Sequence, residues 1–117
     1  MIRKIWTLFL LSLIVGCDDN KQEYRITDVA KPEMIALKKQ KGQGNIYGYS
    51  ISGKGQIHGE ATISLMLNGK PYCVEQLSGN VAFERGGDWY SDSISILYRP
   101  SSVKKGNLHL KYKFKDL

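Results

Sequence analysis

The stretch Ile57-His58-Gly59-Glu60-Ala61-Thr62-Ile63-Ser64-Leu65-Met66-Leu67, with Asn68-Gly69 directly after it, decides the fold class. Ile57, Gly59, Ala61, Ile63, Leu65 and Leu67 alternate with His58, Glu60, Thr62, Ser64 and Met66. An apolar period of two fits a strand with one buried face, since successive side chains point to opposite sides. Asn-Gly is the strongest short hairpin signal, because both central residues of a type I′ turn need positive φ. Residues 72–77 then read as the return strand, with Pro71 at its mouth, where no ladder donor is needed.

Working outward, the same period recurs. Residues 45–52 and 81–85 read as short strands, with turns at Ser78-Gly79-Asn80 and Gly86-Gly87-Asp88. Ile94, Ile96 and Tyr98 mark the inward side of another strand that Pro100 ends. Leu108, Leu110, Tyr112 and Phe114 alternate with His109, Lys111, Lys113 and Lys115 in the last. The expectation is a mainly β domain: an antiparallel meander of about six strands, closing into a small sandwich or barrel. One short helix is expected near 31–41, where Pro32 suits a first turn and Met34, Ile35 and Leu37 form an apolar stripe. Lys38, Lys39 and Lys41 favour its C-terminal dipole, and Gly42 stops it.

The first residues carry a different kind of information. Arg3 and Lys4 precede an apolar run from Ile5 to Val15, and Asp18, Asp19, Asn20 and Lys21 end it abruptly. The run is too short for a membrane span, which takes about 20 residues, and has the layout of an export signal. Leu13-Ile14-Val15-Gly16-Cys17 resembles the bacterial lipobox. The resemblance implies a diacylglyceryl thioether on Cys17, cleavage of residues 1–16, and acylation of the new amine, palmitate being the usual acid. Asp18, beside the cysteine, resembles the inner-membrane retention signal of Gram-negative lipoproteins. The expected organisation is therefore a signal peptide at 1–16, a lipidated tether at 17–25 and a single small domain at 26–117.

Cleavage would remove Arg3 and Lys4 and lower the formal charge from +6 to about +4. That excess suits an anionic bilayer face and is too mild to indicate nucleic acid. Two cysteines in an exported protein invite a disulfide. A lipidated Cys17 has no thiol, so Cys73 is expected to act as a small buried hydrophobe.

Candidate sites are sparse. The Lys111, Lys113 and Lys115 row could approach anionic headgroups, or could protect an edge strand or simply be solvated, which is the expectation. Glu84, Asp88 and Asp92 lie around a Gly-containing loop, but Trp89 and Tyr90 occupy places where calcium ligands would be needed. Turn formation explains these acids better than a metal, and no cofactor is expected. Trp89 and Tyr90, adjacent on a strand, should divide into one core and one surface residue, the surface one available for partner contact. His58 and His109 fall on polar faces. A histidine base needs a nucleophile or carboxylate in reach, and the chain has no Gly-x-Ser-x-Gly, His-Glu-x-x-His or Cys-x-x-Cys motif.

Taken together, Glu23-Tyr24-Arg25-Ile26-Thr27-Asp28-Val29, Lys31-Pro32-Glu33-Met34, Ile51-Ser52-Gly53-Lys54-Gly55, Gly59-Glu60-Ala61-Thr62-Ile63-Ser64-Leu65 and Gly87-Asp88-Trp89-Tyr90-Ser91-Asp92 resemble the small YafY/YfjS-type inner-membrane lipoproteins of enterobacterial cryptic prophages. The resemblance implies lipidation at Cys17 and retention at the inner membrane, and brings no catalytic residues. The expected function is a non-enzymatic binding module on the periplasmic side, with an envelope protein as partner and a prophage-related envelope role. The rival expectation is an envelope hydrolase using a histidine base.

Overall fold

The structure, a computed structural model, describes residues 21–117. Six strands form one antiparallel sheet: β1 (Lys21–Ile26), β2 (Glu33–Lys38), β3 (Ile46–Leu67), β4 (Lys70–Asp88), β5 (Ser93–Pro100) and β6 (Lys105–Asp116). The fold is mainly β, and the described residues contain no helix.

The hairpin of β3 and β4 is its spine. Asn68 (φ 53°) and Gly69 (φ 79°) make the turn with two positive φ angles, and Leu67 pairs with Lys70 across it. At 22 and 19 residues both strands exceed the usual 3–10, because the hairpin bends rather than ends. Ile57 pairs with Gly79 and Glu60 with Ser78, leaving His58 and Gly59 without partners in β4. Gly59 has a φ of +130° and Gly79 of +59°. A Cβ at Gly59 would lie 2.3 Å from the Ser102 carbonyl oxygen, so only glycine lets the chain pass. The β5–β6 connection fastens the bend: Ser101 N donates to Glu60 O at 2.8 Å, and Lys104 N to His58 O at 3.3 Å.

The bend divides the sheet into two halves. Along its other edge β3 pairs first with β6, from Ile46 to His58, and then with β5, from Ala61 to Met66. β6 carries β1 and β5 carries β2. The sheet curls so that both halves face one core. Tyr49, Ile51, Leu108, Leu110 and Phe114 of the first half meet Ile35, Leu37, Ile63, Leu65, Ile96 and Tyr98 of the second. Fully burying an aliphatic or aromatic side chain of this size contributes roughly 1.5–3 kcal/mol, so this interior is the main source of stability. The Tyr98 hydroxyl, enclosed with its ring, donates to Val29 O at 2.7 Å, satisfying a buried polar group. Between the outermost strands, Gln22 Nε2 donates to Lys38 O at 2.9 Å and the Tyr24 hydroxyl donates to Glu33. Side chains, not a backbone ladder, join β1 to β2.

Several sequence expectations need correction. The helix near 31–41 is strand β2: Ile35 and Leu37 are buried, while Met34 and Ala36 are not, which is period two. Ladder pairing with β5 supplies hydrogen bonds that so short a helix would lack. The tether expected at 17–25 is strand from Lys21 onward, paired with β6. The four segments 45–52, 57–67, 72–77 and 81–85 are two long bent strands, since Ser78-Gly79-Asn80 bends β4 without ending it, and Gly86-Gly87-Asp88 lies within β4. The signal peptide, Cys17 and Asp18 lie outside the described residues.

Candidate functional site

Two surfaces stand out, one apolar and one basic. The apolar one lies where the folded-over hairpin brings its tip toward its base. Leu67 and Tyr72, near the tip, with Asp88 at the end of β4 and Trp89, Tyr90 and Ser91 after it, line an open groove of about 310 Å³. Trp89 and Tyr90 occupy the loop rather than a strand, yet they divide as expected. Trp89 is 9% exposed and Tyr90 77%. Trp89 is fixed by three contacts: its N donates to Tyr47 O at 3.2 Å, its Nε1 to Ser93 O at 3.0 Å, and its ring meets Tyr49 edge-on at 5.8 Å. Behind the indole, burial pushes the Tyr49 hydroxyl above its ordinary value. The groove thus has a rigid indole floor and exposed phenol sides.

The basic surface is the outer face of the first half-sheet. Register puts Glu84, Ser52, Lys111 and Glu23 in one row across β4, β3, β6 and β1. Gly86, Ser50, Lys113 and Lys21 form the next row, and Ala82, Lys54, His109 and Arg25 the one on the other side. Ser50, Ser52 and Gly86, small residues among these rows, leave a trough, seen as two adjoining clefts of about 380 and 600 Å³. Lys21, Ser52, Glu84 and Lys111 line both. Lys54, Lys111, Lys113 and Lys115 make no ion pair with another described residue. β6 lies between β1 and β3, so its lysines guard no edge, which corrects that half of the expectation, while Lys111 and Lys115 are exposed to solvent as its other half has them. Lys111 and Lys113 form one wall of an open basic trough.

The remaining candidates scatter. His109 Nε2 lies 2.9 Å from Glu23 Oε1, while His58 is exposed beside the bend. Glu84 faces the trough, Asp88 the aromatic groove, and Asp92 pairs with Lys39 at 3.3 Å, tying the β4–β5 turn to the end of β2. Among the described residues no three His, Cys, Asp or Glu side chains gather as a metal site. Cys73 is half-buried and free, packed against the core.

Two features escaped the sequence reading. Glu75 and Arg85, both on β4, meet at 2.6 Å across the curl and cover the core beside Ile51, Ile63 and Phe83. On the outside of the second half-sheet, Val74, Ser64, Leu97 and Met34 form a mostly apolar row, with Val74 and Met34 exposed. Comparison with protein-family models finds no matching family, and comparison with curated proteins finds no significant match.

Proposed function

We propose that this chain is a lipid-anchored lipoprotein of the YafY/YfjS type, held at the inner membrane through Cys17 with its β domain on the periplasmic side. The domain acts without catalysis, as an interaction module in a prophage-related envelope role. The observation that carries the reading is the short interval between the lipobox and the fold. Cys17 follows the small Gly16 at the end of an apolar run, and strand β1 begins at Lys21. A cysteine in that position would join lipid directly to the foot of a folded domain. Two or three acyl chains at about 0.8 kcal/mol per buried methylene make such a tether effectively permanent.

The proposed partner contact is the Tyr90 groove. A fixed indole beside a highly exposed tyrosine suits an apolar side chain of an envelope protein. Membrane fractionation with mass spectrometry of the N-terminal peptide tests the anchoring. The expected product begins at a diacylglyceryl, N-acylated Cys17 and sediments with the inner membrane. Unmodified Cys17, or retained residues 1–16, would overturn it; recovery in the outer membrane would overturn the role of Asp18. Crosslinking in cells tests the contact: Tyr90→Ala should remove a partner band that the parent chain gives.

The hydrolase reading is favoured by one observation, the His109–Glu23 pair, which resembles an oriented base. Replacing His58 and His109 by alanine separates the two. Envelope phenotypes that survive both changes and vanish with Cys17→Ala belong to a located binding module.

A further inference from the structure

We infer that the basic trough of the first half-sheet is the membrane-facing surface of the domain and takes the phosphate of anionic phospholipid headgroups. This deepens the proposed function and rests on its lipid anchor.

The first argument is reach. Four peptide steps separate Cys17 from Lys21, and a fully extended chain covers at most about 3.6 Å per step, roughly 14 Å in all. Lys21 is both the first residue of β1 and part of the trough wall. An acylated Cys17 would sit at the headgroup level, so Lys21, at one end of the trough wall, cannot leave that layer by more than this span, and Lys113 is its neighbour across the ladder.

The second argument is charge. The rows of this face carry Lys21, Arg25, Lys54, Lys111, Lys113 and Lys115 against Glu23, Glu84 and Asp88. Among the carboxylates, Glu23 already engages His109. On β6 the lysines nearest the anchor are Lys113, paired with Lys21 across the ladder, and Lys115 two residues on. The far end of the same strands holds Leu108 opposite Ile26.

The third argument is shape. Ser50 and Ser52 floor the trough between the lysines of β6 and the rim of β4. Their hydroxyls can donate to phosphate oxygens while Lys111 and Lys113 supply charge. The clefts, of about 380 and 600 Å³, have room for a headgroup. The aromatic groove, by contrast, has no cationic side chain in its lining.

The test uses the full lipidated chain reconstituted in two vesicle types, pure phosphatidylcholine and phosphatidylcholine with phosphatidylglycerol. Lysines are acylated by a water-soluble reagent, and the rate at each is read by peptide mass spectrometry. The expected result is slower labelling of Lys111 and Lys113 in the anionic vesicles, roughly fivefold for each lysine held near the surface. Lys31 and Lys104, beyond the far end of β1 and β6, should label equally in both. The protection should disappear in about 1 M salt, where the Debye length falls to about 3 Å. K111Q should weaken the protection at Lys113.

Equal labelling of Lys111 and Lys113 in the two vesicles, with Cys17 modified, would overturn this inference alone. Unmodified Cys17 in the same digest would overturn the anchor and the inference with it. Inorganic phosphate that protects both lysines in pure phosphatidylcholine vesicles, while phosphatidylglycerol does not, would overturn the choice of a lipid.

Discussion

Asp116, near the end of β6, ties that strand to the loop before β3. Its Oδ2 accepts from Gly44 N at 2.7 Å and its Oδ1 from Gln43 Nε2 at 3.1 Å, while Gln43 Nε2 also reaches Phe114 O at 2.7 Å. The Gly44 backbone N–H, then the Gln43 amide, hold the carboxyl below its ordinary 3.8. A carboxyl whose folded pKa is depressed binds its proton less readily in the folded state than in the unfolded one. Its contribution is therefore complete above the unfolded value and is lost as pH falls through the folded value. Asp116→Asn should thus lower the urea midpoint near neutral pH, where the carboxylate is intact. The difference should narrow once the pH drops below 3.8. Urea titrations of parent and variant at pH 7 and at stepwise lower pH check this; a constant difference would remove the charge from the account. Tyr98 shows the opposite situation at high pH: burial raises its hydroxyl, so its contribution holds below the ordinary tyrosine range and fails as pH rises through the raised value.

Strand β4 poses the main problem at the scale of elements. Among the described strands it pairs only with β3, so its outer edge offers a row of backbone donors and acceptors along 19 residues. Such edges recruit other strands unless something blocks them. Here Pro71 removes one donor at a register shift, and the Gly79 bend breaks the edge into two directions. The Glu75–Arg85 pair places charge on the inward side of the edge. Their side chains are 25% and 39% exposed, so the pair itself adds no more than about 1 kcal/mol to stability. Its larger effect is against pairing. Glu75→Val with Arg85→Val should keep the circular-dichroism spectrum of the fold and cause concentration-dependent self-association in sedimentation velocity; a variant no more associated than the parent would remove that role. The same strand shows what could be read from sequence. The Asn68-Gly69 turn and the alternation of β3, β5 and β6 were legible because each has one buried face and a local turn signal. β1 was not, since only Tyr24 and Ile26 mark its inner side amid polar residues. Met34, Ile35 and Leu37 of β2 fit a helix stripe and a strand equally over six residues, and only the pairing with β5 decides. Tyr90 could be singled out locally, whereas the trough joins residues from β1, β3, β4 and β6 and exists only once register is fixed.

For the whole molecule, the proposed anchor and the basic trough act on one another through the length of chain between them. With Cys17 in the headgroup layer, the stretch to Lys21 keeps that edge of the trough within about 14 Å of the layer. The field of an anionic surface decays over a Debye length, about 8 Å at physiological salt, so the short tether keeps the lysines where attraction is felt. Inserting about 20 Gly/Ser residues between Asn20 and Lys21 changes this without touching the trough. The r.m.s. span of the enlarged linker becomes roughly 25–30 Å, several Debye lengths. A domain held by its tether then spends most of its time outside the field, whereas one held by tight headgroup contacts does not notice the insertion. Weak single-lysine attraction, about 1 kcal/mol each near the surface, places this chain in the first regime. The insertion should therefore leave Cys17 acylation and thermal stability unchanged and reduce the anionic-vesicle protection of Lys111 and Lys113 at least twofold. Lysine-labelling rates on the parent and inserted chains, in the same phosphatidylglycerol vesicles, measure it. Undiminished protection would mean that the trough holds headgroups tightly without help from the tether, and effective concentration would then have no part in its mechanism.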